Sequence, residues 1–407
     1  MLLSYHTLDN GIRLIHHQTN GRVAHCGLLI NTGSRDESAS EHGIAHFIEH
    51  MLFKGTSRRK AYHILSCLDD RGGELNAYTT KEETVVHASI LKEDLERAVD
   101  LICDITFNSI FPEKELEKEK EVVIEEIKAV LDNPAELIFD EFEELVFQNG
   151  SLGRSILGTP ETVKAFKRQD LIRFISDNYN TDQMVFCSVG NVSEENIIKI
   201  FQKYFNNVAL KTSQVTRNKK RGSYQPVTVI KNKDTNQNHC MIGNITYSLK
   251  HRNRIGMFLL NNILGGPVLN SRLNLSLRER NGYAYSIESN YNAFCDTGLF
   301  SIYFGTENRN LEKCISIIKK ELNKLRNTRL GMIQLDRAKN QIKGSLARAY
   351  ENHESLMLSL AKNLLVFDNI DSPEKISKKI DALTSSRLLE IANEVFEPGE
   401  LSTLIYK

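Results

Sequence analysis

The sequence predicts an α+β fold: two similar halves, each a mainly antiparallel β-sheet with α-helices packed on it. Three observations support it. At 407 residues the chain exceeds what one hydrophobic core ordinarily serves. The order of strand-like and helix-like patterns in the first half returns in the second. Residues 209–225 (ALKTSQVTRNKKRGSYQ) are poor in apolar side chains and rich in basic ones, as a linker between domains is. The expected domains are therefore 1–208 and 226–407.

The first half opens with alternating segments, GIRLIHH and HCGLLINTG, broken by Asn-Gly and Gly turns. A helix is expected from about Gly43 to Phe53, then a strand pair at GGELNAYT and TVVHASIL. Helices follow at about Lys92–Phe107 and Pro112–Leu131, the second opened by proline at a position that tolerates it. Further helices follow, one opened by Thr159-Pro160-Glu161, before the strand MVFCSVG. After the linker come strands VTVIK and HCMIGNITYS, a helix at about Ile255–Leu264, and the strand pair YAYSIESNY and GLFSIYFGT. Helices at about Asn310–Leu325 and Gly331–Ala347, a further helical stretch and the strand STLIYK complete it.

Composition excludes several classes. With 41% hydrophobic and 26% charged residues the chain is globular rather than disordered. Its 52 basic and 52 acidic residues cancel, and a nucleic-acid binder would carry a basic excess. The run Arg217, Lys219, Lys220, Arg221 reads as solvated linker. No apolar stretch approaches the roughly 20 residues that span a bilayer, so no membrane partner is expected. The start MLLSYHTLDNGIRL reads as a strand and turn, not a secretory signal. Seven scattered cysteines without a CxxC suit reduced thiols in a cytoplasmic protein, and nothing near Cys67 or Cys103 resembles an activated nucleophile.

The chemistry concentrates at His46-Phe47-Ile48-Glu49-His50. On a helix, positions three and four apart share a face, so both imidazoles can meet one ion with Glu49 beside them. Neutral imidazoles with a carboxylate suit zinc, and a nearby free carboxylate can take the proton of an attacking water. Taken singly, a histidine on an apolar face is usually a core residue. Two flanking a glutamate in IAHFIEHMLF are costly to bury without a partner. Laying IGMFLLNNILGG of the second half on this segment puts Met257, Leu260 and Asn261 against His46, Glu49 and His50, so the second half keeps the pattern without the ligands.

Helical geometry offers a third ligand. At about 100° per residue, Leu116, Val123, Ile127 and Val130 form the apolar stripe of the Pro112–Leu131 helix. Glu119 and Glu126 fall within that stripe, while Glu117, Glu121 and Glu125 fall on the polar side. Carboxylates in an apolar stripe call for a cation. Periodicity leaves open which of the two is the ligand and which the supporting group.

HFIEHMLFKGT resembles the signature of the inverted-motif zinc peptidases, the group of pitrilysin, insulysin and the mitochondrial processing peptidase. The likeness extends through GGELNAYTTKEETVVHASI, EKELEKEKEVVIEEI, the loop LGRSILGT and SRLNLSLRERNGYAYSI, and is nearest to the short two-domain bacterial type and the catalytic subunit of the processing peptidase. The resemblance implies a metalloendopeptidase with one Zn2+ per chain, held by His46, His50 and Glu126. It implies Glu49 as general base, Glu119 as supporting carboxylate, and Arg278 with Tyr285 as the pair that grips the substrate and its oxyanion. Asn76 and Ala77 in ELNAYT resemble the strand along which substrates lie. His42 is left as a surface residue. The implied substrates are peptides or unfolded protein segments, cut in a chamber enclosed by a homodimer or a heterodimer with a paralogue. The rival reading is a non-catalytic partner subunit of a heteromeric processing peptidase.

Overall fold

Parity along its strands buries the first sheet on both faces. The computed structural model describes residues 3–148, 150–212, 217 and 224–407. Six strands lie in the order β1 (Leu3–Thr7), β2 (Arg13–Gln18), β6 (Met184–Gly190), β3 (Val23–Ile30), β5 (Thr84–Leu91), β4 (Glu74–Thr79). Neighbours are antiparallel except β2 with β6. Successive side chains point to opposite faces. Ala24, Cys26, Leu28 and Ile30 of β3 enter the core shared with the helices Ile44–Met51, Leu95–Phe107 and Glu113–Leu131. Leu29 joins Ile15, Val85, Val185, Cys187 and Val189 on the other face. That double burial is why MVFCSVG is apolar at every position but Ser188, whose hydroxyl meets His16 Nδ1.

The second sheet repeats the scheme with five strands, in the order β7 (Thr228–Lys231), β11 (Ser402–Tyr406), β8 (Asn238–Thr246), β10 (Gly298–Thr306), β9 (Ala284–Ala293). Only β7 with β11 is parallel. Cys240, Ile242, Phe300, Ile302 and Phe304 face one core; Met241, Leu299, Tyr303, Leu404 and Tyr406 face another cluster.

Each sheet's second face is covered by a helix from the other half of the sequence. The Pro134–Val146 helix brings Ile138, Phe142 and Val146 to the second sheet. The His353–Phe367 helix brings Leu356, Met357, Leu360, Ala361 and Leu364 to the first. One compact unit therefore comprises Met1–Lys128, Arg154–Asn218 and Arg348–Ile370; the other comprises Ala129–Gly153, Lys219–Ala347 and Asp371–Lys407. Alternation along a strand shows that a face is apolar but not which helix covers it, so this exchange is invisible in the sequence pattern.

Most of the 209–225 segment lies outside the described residues, but Arg217 does not. Its guanidinium donates to both oxygens of Asp36 at 2.8 Å and to the Glu82 carbonyl at 2.6 Å. This member of the basic run is a half-buried ion pair, not a solvated charge. Among the described residues no helix is long and apolar enough to cross a membrane.

Candidate metal centre

In the Ile44–Met51 helix, Ile44, Ala45, Phe47, Ile48 and Met51 are buried in the core. The remaining spacing leaves His46, Glu49 and His50 along one side. In the Glu113–Leu131 helix, Leu116, Glu119, Val123 and Ile127 are buried while Glu117, Glu121 and Glu125 are exposed. Lys120 and Ile124 widen the buried stripe, and Lys120 is neutralised by Glu117 at 2.8 Å.

Where the two helices meet, Glu126 Oε2 lies 3.7 Å from His46 Nε2 and 3.6 Å from His50 Nε2. These separations are too long for hydrogen bonds. They are close to the roughly 3.4 Å that separates neighbouring ligand atoms in a tetrahedron about 2.1 Å from zinc. The ligand atoms of all three residues fall within 4.8 Å of one another. Two imidazoles and one carboxylate fit zinc and leave a fourth position open.

The surrounding groups prepare these atoms. Burial, with the neighbouring His50, pulls His46 down to about 4, so it stays neutral and able to ligate. Burial also opposes a charge on His50, but the Glu119 hydrogen bond and the charges of Glu119, Glu126 and Glu49 outweigh it, and His50 is raised. His50 Nδ1 and Glu119 Oε1 are 2.9 Å apart, which fixes the ring and turns Nε2 toward Glu126. Glu119 Oε2 pairs with Lys54 Nζ at 2.6 Å. Burial raises the Glu119 carboxyl, but His50 and Lys54 together hold it below the ordinary carboxylate range. Glu49 lies outside the ligand trio, and burial raises it, with Glu126 adding to the rise while Thr79 and His50 draw it part of the way back.

Sequence reasoning missed Lys54 and Glu37. Lys54 stands in the FKGT extension of the motif, where a lone lysine carries no signal of its partner. Glu37, nine residues before His46, hydrogen-bonds the start of the Ile44–Met51 helix. Burial pushes its carboxyl up to about 8 against the pull of the Ala45 and Gly43 N–H groups and Arg154. His42 is not the surface residue expected: it is half-buried, with Nε2 2.8 Å from the Ser155 carbonyl.

Asn76 and Ala77 lie on β4, the edge strand, paired on one side with His87 and Val86. In the second unit, Arg278 sits in a π-helical turn, Asn274–Glu279, and Tyr285 on the edge strand β9. The Arg278 guanidinium carbon is 5.0 Å from the Tyr285 ring centre, a cation–π contact, and Tyr285 is 80% exposed. Met257 and Leu260 fill the second core, and Asn261 Nδ2 donates to the Ser289 carbonyl at 3.0 Å. These three residues serve packing. No disulfide joins any of the seven cysteines; burial pushes the Cys26 and Cys103 thiols up to about 12, which suits packing rather than attack.

Zinc held by the two imidazoles would bind with a specific pH dependence. An imidazole must shed its proton to ligate. His46, held near 4, has none to shed at mildly acid pH, whereas His50, raised above its ordinary 6.5, does. Between about pH 5 and 6, log affinity for zinc should rise by about one per pH unit. A chelator competition read across that range checks this, and a slope of two would mean that His46 is also protonated there.

Residues 13–160 match the model of the insulinase family of peptidases, family M16, and residues 165–342 match that of the M16 inactive domain. The chain is 34% identical over 405 residues to an uncharacterized zinc protease of Bacillus subtilis, spanning 99% of this chain and 98% of the relative. It is 30% identical over 404 residues to a probable mitochondrial-processing peptidase subunit beta of Schizosaccharomyces pombe, spanning 96% and 88%. The crystal structure of a protease from Helicobacter pylori superposes with a TM-score of 0.93 at 22% identity, covering 100% of this chain and 99% of that one.

Proposed function

The chain belongs to the insulinase family of peptidases, family M16, and from that premise we propose that it is a zinc-dependent endopeptidase acting on peptides and unfolded protein segments. The convergence of His46 Nε2, His50 Nε2 and Glu126 Oε2, with Glu49 on the same helix but outside the trio, carries this reading. Zinc held there would supply a Lewis acid that lowers the pKa of water and polarises a carbonyl.

The chain's own residues do the rest. Glu49 takes the proton of the attacking water and hands it to the leaving amine; its raised carboxyl suits a base working near neutral pH. Glu119 holds His50 and is itself held by Lys54. An extended substrate adds to the free edge of β4 along Asn76 and Ala77, so main-chain hydrogen bonds give affinity with little demand on side chains. Arg278 and Tyr285 bind the substrate backbone and the oxyanion that forms at the scissile carbonyl. The working assembly is a dimer, of this chain or with a paralogue, that encloses a chamber. The chain's seven cysteines, none in a disulfide, fit a cytoplasmic setting.

The test is incubation of the purified chain with zinc and a pool of unfolded peptides, read by mass spectrometry. Internal cleavages that vanish on chelation are expected, and a folded protein should be cut more slowly than its unfolded form. Absence of any cleavage by a chain shown to hold zinc would favour the non-catalytic partner.

A further inference from the structure

The two histidines are oriented by different means. His50 has a side-chain partner, Glu119, on its second ring nitrogen. His46 Nδ1 is buried and finds no hydrogen-bond partner among the described residues. Its placement therefore depends on the main chain of the first helical turn, where it is the third residue.

That turn has no cap of its own. The helix starts after Gly43, which has a φ of +92° and no side chain. Early N–H groups of a helix lack intrahelical acceptors, and the first bond here runs from Phe47 N–H to the Gly43 carbonyl at 3.0 Å. Glu37 fills the gap from outside: Oε2 accepts from Gly43 N–H and Oε1 from Ala45 N–H, each at 2.9 Å. Ala45 immediately precedes His46. Glu37 is 4% exposed, and its main chain is clamped in turn. Arg154, in the LGRSILGT loop, donates to the Glu37 carbonyl at 2.5 Å and to the Ser38 carbonyl at 2.8 Å. Lys81 Nζ donates to the Arg154 carbonyl at 2.6 Å. The same loop presses on the turn: a side chain at Gly43 would come within 2.6 Å of the Leu157 carbonyl oxygen.

We propose that Glu37 is a positioning residue for the metal centre, fixing the first turn so that His46 is presented to the ion, with Arg154 holding Glu37 in place. The inference rests on the zinc reading of His46, His50 and Glu126. It requires a group with two acceptors. Glutamine has nearly the same shape, but its amide nitrogen would meet a backbone N–H donor to donor and leave that group buried and unsatisfied.

Two measurements test the idea without activity: zinc affinity by competition with a chromophoric chelator, and the visible absorption of the cobalt-loaded protein. Glu37→Gln should weaken zinc binding about ten- to hundredfold, the range for residues that orient a ligand, and alter the cobalt bands. A residue that merely stabilised the fold would lower the melting temperature of the metal-free protein and leave both readings alone. A folded Glu37→Gln variant with wild-type affinity and bands would overturn the proposal. Should that variant fail to fold, Arg154→Ala decides: a several-fold loss of affinity supports the clamp, and unchanged affinity overturns it. A wild-type chain unable to bind zinc would sink the underlying reading too, whereas zinc binding indifferent to Glu37 would sink this inference alone.

Discussion

Replacing Glu49 with glutamine is expected to leave one zinc per chain and to lower kcat on the order of 10²–10⁴-fold, the contribution of a positioned acid–base group. Glu49 lies outside the trio of His46, His50 and Glu126, so its removal takes nothing from the ion. Glutamine keeps the volume, and with it the packing around a half-buried position, but it cannot accept a proton. Burial raises the wild-type carboxyl, so its titration should form the acid limb of the pH profile, activity rising as the group ionises. The variant's residual activity should lack that limb. Metal analysis and a quenched-peptide assay across pH check both statements. Full turnover in the variant would remove Glu49 from the role.

Glu126→Ala should have the second largest effect, through the metal itself. One oxygen of Glu126 stands 3.6–3.7 Å from both Nε2 atoms, so the substitution deletes the anionic donor and leaves two imidazoles. Its side chain is 42% exposed, and the change should cost the fold little, within about 0.5 kcal/mol for an ordinary surface site. Glu119→Ala leaves every ligand in place but frees the His50 ring and strands the Lys54 ammonium. That variant should lose about ten- to hundredfold in zinc affinity, and Glu126→Ala should lose more. Chelator competition on the two proteins ranks them, and the opposite order would exchange the roles of the two glutamates.

How much of this was legible beforehand follows from the range of each interaction. The 46/49/50 spacing is local, and a helix turns it directly into one face. The 116/119/123/127 pattern is local too, and it placed Glu119 in a buried stripe. Periodicity could not separate Glu119 from Glu126, because both point the same way and only what stands opposite, His50 Nδ1 or the two Nε2 atoms, distinguishes them. Lys54 and Glu37 act through contacts with residues 119 and 43–45, which no local pattern encodes. Only family resemblance points to Arg278 and Tyr285, since an exposed tyrosine beside an arginine has no unusual periodicity. The exchange of the Pro134–Val146 and His353–Phe367 helices was hidden for the same reason as Lys54 and Glu37: it is settled by packing between distant segments.

That exchange sets a timetable for biosynthesis. Ile15, Leu29, Val85, Val185, Cys187 and Val189 form an apolar row on the unit that carries the candidate metal centre, and the side chains that cover it run from Leu356 to Leu364. A chain emerging from the ribosome therefore carries this row uncovered until residues 356–364 have been made. Nascent or prematurely terminated products display a sticky face of the kind chaperones hold and quality-control proteases remove. Expressing residues 1–208 alone would reproduce that condition permanently.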